Sequence, residues 1–207
     1  MTNYDTLKAA IIKGSRNDVT AIVKAAIDAG EDFNALLDKA MIPAMREIGE
    51  KFSRNEAYVP ELLIAARAMQ SGLAIIEPLL AASGRKSLGT VAIGTVKGDL
   101  HDIGKNLVAI MLKGAGYDVV DLGVNCDVAK FDEGVAKGAT VVACSSLLTT
   151  TMPYMRDVVE HFKGRGVKVI IGGAPITQAY ADEIGAFGYS EDANGAVKLA
   201  DAIFGKK

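Results

Sequence analysis

At 207 residues, half of them hydrophobic and 23% charged, the chain is long enough for one domain with a full core or for two small ones, and its composition is unlike that of a disordered protein. A formal net charge of −2 removes the electrostatic case for nucleic-acid binding. Cys126 and Cys144 are too few for a disulfide framework and fit a reducing cytoplasm.

The first residues carry no positive segment followed by an apolar core, so no signal peptide is expected. Every apolar run is broken by Lys, Arg, Asp or Glu, so no membrane span is expected either. Up to about Ala82 the apolar residues recur at helical spacing. Val19, Ile22, Val23, Ala26 and Ile27 form one stripe, and Phe33, Leu36, Leu37 and Ala40 a second, which Met45, Ile48 and Phe52 continue. Pro43 interrupts that long segment and predicts a kink. Leu62, Met69, Leu73 and Ile76 line a further helix that opens at Pro60, and Gly14, Gly30 and Gly84 stand where helices should stop. About four helices, and hence a small bundle over residues 1–84, are predicted.

The stretch Ala81–Ser87 is the linker-like segment, with Ser83 and Gly84 as its candidate hinge. Beyond it, over residues 88–207, short β-prone runs alternate with Gly-rich turns and helices. Strands are predicted at Thr90–Thr95, Asp118–Leu122, Thr140–Cys144, Val167–Ile171 and near Phe187–Tyr189. Helices are predicted at Gly104–Gly114, Val128–Lys137, Tyr154–Lys163, Thr177–Ile184 and Asn194–Phe204. Five βα units in succession imply a doubly wound parallel sheet, with ligands beyond the carboxyl ends of its strands. The loops to inspect are therefore Val96–Ile103, Ser145–Pro153 and Gly172–Thr177.

The first loop is not the glycine-rich turn of a nucleotide site. It presents Asp99 and His101, then Gly104 and Asn106. A carboxylate on one imidazole nitrogen fixes the tautomer and raises the basicity of the other, which suits a metal ligand. Taken alone, His101 reads as a surface histidine. No second His or Cys lies nearby for a protein-only zinc site, and one lone ligand suits a metal that brings most of its ligands with it, as a tetrapyrrole does. His161 falls on a predicted helix and reads as packing or solvated. Gly172 and Gly173 let another group approach the backbone or make a tight turn. Ser145 and Thr149 read equally as helix caps. Cys144, inside a strand, reads as buried and inert, and the segments Lys163–Lys168 and Gly205–Lys207 as solvated charge.

Together, Asp99-x-His101-x-x-Gly104, Ser145-x-Leu147 and Gly172-Gly173 resemble the cobalamin-binding domain of corrinoid methyltransferases and mutases. The N-terminal residues Gly49–Phe52, Tyr58–Leu63 and Ala65–Met69 resemble the helical cap of the cobalamin module of methionine synthase, and more closely the free-standing corrinoid proteins of anaerobic methyltransferase systems. The resemblance implies an α/β protein: a four-helix bundle cap followed by a Rossmann-like, flavodoxin-like cobalamin-binding domain. It implies cobalamin, vitamin B12 or a related corrinoid, as cofactor, with methylcobalamin in turnover. His101 becomes the lower axial ligand of cobalt, with Asp99 on its imidazole and Ser145 extending that relay. The cofactor-binding set becomes Asp99, His101, Asp102, Ile103, Gly104, Ser145, Leu147, Thr149, Gly172 and Gly173. Tyr58 falls beside the upper ligand, where Leu62 and Met69 could join it, although those two read better as bundle core.

The implied function is a methyl carrier in one-carbon metabolism, a corrinoid subunit of a multi-component methyltransferase system and not a catalyst on its own. A substrate-specific methyltransferase loads the cobalt, a second methyltransferase passes the methyl group to tetrahydrofolate or a thiol such as coenzyme M, and a reductive activase restores oxidised Co(II). The rival readings are the small cobalamin-binding subunit of a carbon-skeleton mutase and a cobalamin-dependent sensor or regulator. Mutase subunits do not carry such a cap, and no basic helix-turn-helix precedes it here. A flavodoxin-like domain with an incidental histidine leaves the three loop motifs unexplained.

Overall fold

The structure, a computed structural model, describes residues 2–84 and 86–206. Met1, Arg85 in the expected linker and Lys207 in the expected terminal charge run lie outside the described residues. The chain divides into two compact units, Met1–Lys86 with Gly114–Gly116, and Ser87–Lys113 with Tyr117–Lys207.

The first unit is helical: α1 (Tyr4–Ile12), α2 (Arg16–Asp28), α3 (Phe33–Leu36), a π-helical turn (Leu37–Met41), α4 (Ile42–Ser53) and α5 (Val59–Ser83). The Asn3 side chain caps α1 by accepting from the backbone N–H of Asp5 at 3.0 Å and Thr6 at 3.2 Å. Asp32 caps α3 in the same way through Asn34. At the start of α5 the Glu61 carboxylate accepts from the Tyr58 N–H at 2.6 Å. α1, α2 and α5 end just before Gly14, Gly30 and Gly84, as the glycine positions predict.

Pro43 acts differently from the expected kink. The chain widens one turn earlier, where the Ile42 N–H reaches the Leu37 carbonyl in an i→i−5 bond, and Pro43 falls in the first turn of α4. A proline needs room for its ring and cannot donate to the carbonyl four residues back, and a π-turn accommodates both demands. Leu7, Ile11, Val19, Val23, Met41, Met45, Leu62, Ala65, Met69 and Ile76 are buried, so Leu62 and Met69 are core residues. Gly72 lets α2 approach α5: a Cβ there would lie 2.9 Å from a Val19 methyl. One helix departs from the expectation about apolar runs. Over Val59–Leu80 α5 is long and apolar enough to cross a membrane, yet its Leu62, Ala65, Ala68 and Ile76 are buried in the unit.

The second unit alternates β1 (Thr90–Thr95), α6 (Ile103–Gly114), β2 (Asp118–Asp121), α7 (Val128–Ala136), β3 (Val141–Ser145), α8 (Tyr154–Phe162), β4 (Lys168–Gly172), α9 (Gln178–Ile184), β5 (Gly188–Ser190) and α10 (Ala193–Phe204). All strand pairs are parallel, in the flavodoxin-like order β2-β1-β3-β4-β5. Every predicted strand and helix of this unit is present, with ends within one or two residues. The central strands β1, β3 and β4 are near-continuous buried runs, as strands covered on both faces are. Phe131, Met155, Val158 and Phe162 from α7 and α8 pack with Val142, Cys144, Val169 and Ile171 of the sheet. The order reverses between β1 and β3, so the loops after them diverge and leave a crevice at their carboxyl ends.

Phe131 has no exposed surface and lies at the centre of this packing. Phe131→Ala is expected to destabilise the second unit by about 3–5 kcal/mol. Urea unfolding followed by circular dichroism measures the loss.

Candidate cofactor site

The loop after β1 turns back under itself. The Val96 N–H donates to the Ser145 carbonyl, and the Asp99 N–H to the Val96 carbonyl. The Thr95 hydroxyl donates to the His101 carbonyl at 2.8 Å. This folding puts the Asp99 carboxylate inside, with no exposed surface, and leaves the His101 side chain 52% exposed at the carboxyl end of the sheet.

Asp99 Oδ1 meets the His101 N–H at 3.0 Å and His101 Nδ1 at 2.7 Å. Asp99 Oδ2 accepts from the Leu147 N–H at 2.8 Å and the Thr151 hydroxyl at 3.0 Å, with the Ser146 hydroxyl at 3.3 Å. Burial by itself pushes the Asp99 carboxyl up. The N–H groups of His101 and Leu147 and the side chains of His101 and Thr151 outweigh it and hold the group well below the usual carboxylate range. The carboxylate is therefore ionised and bonded through both oxygens. Nδ1 of His101 is engaged, which leaves Nε2 as the nitrogen able to ligate a metal.

The expected relay from Asp99 to Ser145 does not form. Ser145 is the last residue of β3, its backbone in register with Thr95 and Gly172. The hydroxyls that reach Asp99 belong to Ser146 and Thr151, which also lie 2.8 Å from each other. Ser146 is the first residue beyond β3, and of the two serines its hydroxyl is the one that comes within reach of Asp99. From Ser145 through Thr151 there are five hydroxyl residues, interrupted by Leu147 and Leu148, and spacing alone does not choose among the five.

At Gly172 and Gly173 the chain's own backbone comes close. Gly173 has φ +135°, and a Cβ there would lie 1.9 Å from the Ser146 carbonyl oxygen. The group that closely approaches this glycine is the chain's own β3 loop. A Cβ at Gly172 would meet the Ser190 carbonyl at 3.0 Å. Gly104, in contrast, has open space around its missing Cβ. Asp102 is exposed and accepts from the Asn106 amide at 3.0 Å, and Thr149 is exposed in the turn after β3.

Lys105 is not among the residues expected at the site. Its side chain is only 2% exposed in the first turn of α6, where the helix dipole disfavours a cation. It donates to both oxygens of Asp121 at 2.7 and 2.8 Å and to Asn106 at 2.6 Å. Asp121 is pushed up by burial but drawn below its usual range by Lys105 and by the Gly123 N–H. This pair ties the start of α6 to the end of β2.

Exposed apolar side chains flank the histidine in sequence and also stand on the β3 loop. Leu100 is 72% and Ile103 79% exposed, and Leu147 and Leu148 are also exposed. Large apolar surface left in water beside a metal-capable imidazole suits a flat, largely apolar ligand. Among the described residues no group of three His, Cys, Asp or Glu side chains stands together as a metal site. One protein ligand, an apolar rim and an open glycine fit a corrinoid, which carries its own equatorial ligands. Tyr58, in the first unit, is 66% exposed at the start of α5. Cys126 and Cys144 are buried, and burial pushes both thiols above their usual range, as inert cysteines require.

The B12 binding domain family matches the chain twice, a sheet-domain form over residues 89–198 and a helical form over residues 4–77. A corrinoid protein of Desulfitobacterium hafniense (strain Y51) is 39% identical over 100% of this chain and 99% of its own length. The trimethylamine corrinoid protein of Methanosarcina barkeri is 46% identical, over 87% of each chain. Among solved structures, the methanol:cobalamin methyltransferase complex MtaBC of Methanosarcina barkeri matches with a TM-score of 0.87 at 30% identity, covering 99% of this chain and 80% of that one.

Two substitutions test the carboxylate network in the cofactor-free protein. Thr151→Val removes one donor from a buried charge and is expected to cost about 1–3 kcal/mol. Gly173→Ala drives a methyl into the Ser146 carbonyl and is expected to cost a similar amount, about 1–3 kcal/mol, through overpacking. Denaturant midpoints at constant slope measure both.

Proposed function

Since this chain belongs to the cobalamin-binding corrinoid proteins of anaerobic methyltransferase systems, we propose that it shuttles a methyl group between two partner enzymes, with His101 as the lower axial ligand of cobalt. It is a methyl-carrying corrinoid protein of a methyltransferase system, and cobalamin is its cofactor. The observation that supports His101 most is its 2.7 Å contact with a carboxylate that has no exposed surface.

Bound cobalamin supplies a cobalt centre that accepts and releases the methyl group. The chain's own residues set the conditions. Asp99 holds the proton on His101 Nδ1, so the lone pair of Nε2 faces outward as a donor. The Leu147 N–H and the Thr151 hydroxyl keep Asp99 ionised, which strengthens that donor. The same contact would hold the imidazole in place beneath the cobalt, at 2.7 Å from the Asp99 carboxylate. The exposed side chains of Leu100, Ile103, Leu147 and Leu148 would pack against the bound cofactor and exclude water. Asp102, Gly104, Ser145, Thr149, Gly172 and Gly173 are the proposed lining for the rest of the cofactor. Tyr58 is the proposed contact to the upper ligand, supported by its exposure.

A methyltransferase partner is supported by the complex MtaBC. We further assign a second methyltransferase, with tetrahydrofolate or a thiol such as coenzyme M as acceptor, a reductive activase, and a cytoplasmic location. The name of the trimethylamine relative makes a methylated amine the first donor to test.

The deciding experiment loads the protein with hydroxocobalamin, reduces it to Co(II), desalts it and compares its EPR spectrum with that of His101→Ala. Retention near one cobalt per chain, with nitrogen hyperfine splitting in the wild type that His101→Ala lacks, is expected. A spectrum unchanged by His101→Ala would sink the ligand assignment. Gly104→Ala is expected to leave the cofactor-free stability within about 0.5 kcal/mol, because its Cβ meets nothing. The same variant should lower cobalamin retention. Full retention would remove Gly104 from the site.

A further inference from the structure

Among the described residues, Asn55 and Asn125 are the non-glycine positions with positive φ, at 57° and 52°. Asn55 has an ordinary reason: it follows α4, and the next N–H, of Glu56, donates back to the Lys51 carbonyl at 2.8 Å. Asn125 ends no helix. It lies in the loop between β2 and the Asp127 cap of α7, and it is exposed.

Its polar groups explain the conformation. The Asn125 N–H donates to the Asp99 carbonyl at 3.0 Å, and Asn125 Oδ1 accepts from the Gly98 N–H at 2.8 Å. One residue therefore grips the β1 loop at two adjacent positions, Gly98 and Asp99, the second of which holds His101. The segment around it runs alongside that loop. The Thr95 N–H donates to the Gly123 carbonyl at 3.0 Å, and the Cys126 N–H to the Thr95 carbonyl at 2.8 Å. Gly98 has φ +83°, so the gripped stretch follows a path that few sequences hold without outside bonds. A short acceptor on a left-handed residue is what Asn and Asp supply and other side chains do not. Non-glycine residues persist in this region where the surroundings demand it, often at functional sites.

We propose that Asn125 is a positioning residue, which sets the β1 loop so that Asp99 presents His101 Nε2 in ligating geometry. The inference rests on the His101 reading above. It concerns a residue whose hydrogen bonds go to the backbone of the β1 loop and not to the Asp99 carboxylate.

The test compares wild type, Asn125→Gly and Asn125→Asp. Glycine keeps the left-handed backbone and deletes the acceptor, while aspartate keeps both. In the Co(II) EPR spectrum of the loaded protein, Asn125→Gly should shift the ratio of nitrogen-ligated to unligated cobalt by about three- to tenfold toward unligated. Asn125→Asp should restore it to within about twofold. Circular dichroism of the cofactor-free variants should be unchanged. An unaltered ratio in folded Asn125→Gly overturns the inference while leaving His101 as ligand. Absence of nitrogen splitting in the wild type overturns the His101 reading itself, and this inference with it. Should Asn125→Gly fail to fold, amide exchange in the wild type decides: a protected Gly98 N–H supports the grip, and exchange at the unprotected rate overturns it.

Discussion

A carboxylate without exposed surface has to find its hydrogen bonds inside the protein, and Asp99 imposes that demand on the whole carboxyl edge of the sheet. Its own loop supplies two donors, the N–H and the ring of His101, and the β3 loop supplies Leu147, Thr151 and Ser146. Each donor constrains something else. Leu147 can donate only if the β3 loop leaves its strand at the right height. That loop has room only because Gly173 lacks a side chain. The imidazole, as one of these donors, is held by the bond it provides. A buried charge thus converts loose loops into a fixed presentation of one nitrogen.

The topology makes this possible. With order β2-β1-β3-β4-β5, the connections from β1 and β3 run in opposite directions, and their first residues face each other across the switch point. Asp99 and Leu147, forty-eight residues apart, come within a hydrogen bond there. A second charge pair does similar work one strand over. Lys105 at the start of α6 and Asp121 at the end of β2 pin the helix that follows the histidine loop. Both pairs depend on fixed partners, since a buried lysine or aspartate left alone would cost far more than its side chain returns.

Much of the fold was legible in the chain because it follows local rules. The β-prone runs from Thr90 to Tyr189 alternate with helical patterns, and that alternation leads to a parallel sheet whatever the side chains do elsewhere. Pro43 showed the limit of a local rule. Its steric demand was readable, but whether the helix bends or widens depended on the burial of Leu37, Ala40 and Met41 around it. Likewise, the charges in α5 suggested a broken apolar run, while its burial in the bundle was a property of the packed unit.

The site divides along the same line. The chain by itself determined that His101 and Asp99 stand two residues apart on the loop after the first strand, near enough for the carboxylate to meet the imidazole without help from the fold. It also determined that paired glycines and a serine-rich loop would lie on the same edge. Only the tertiary structure decided that Ser146 and Thr151, and not Ser145, reach Asp99, that Gly173 makes room for the protein's own backbone, and that Asn125 grips the histidine loop. Those contacts join residues dozens of positions apart, and which of several similar side chains takes part depends on the pleat and register of strands, at a resolution of single residues.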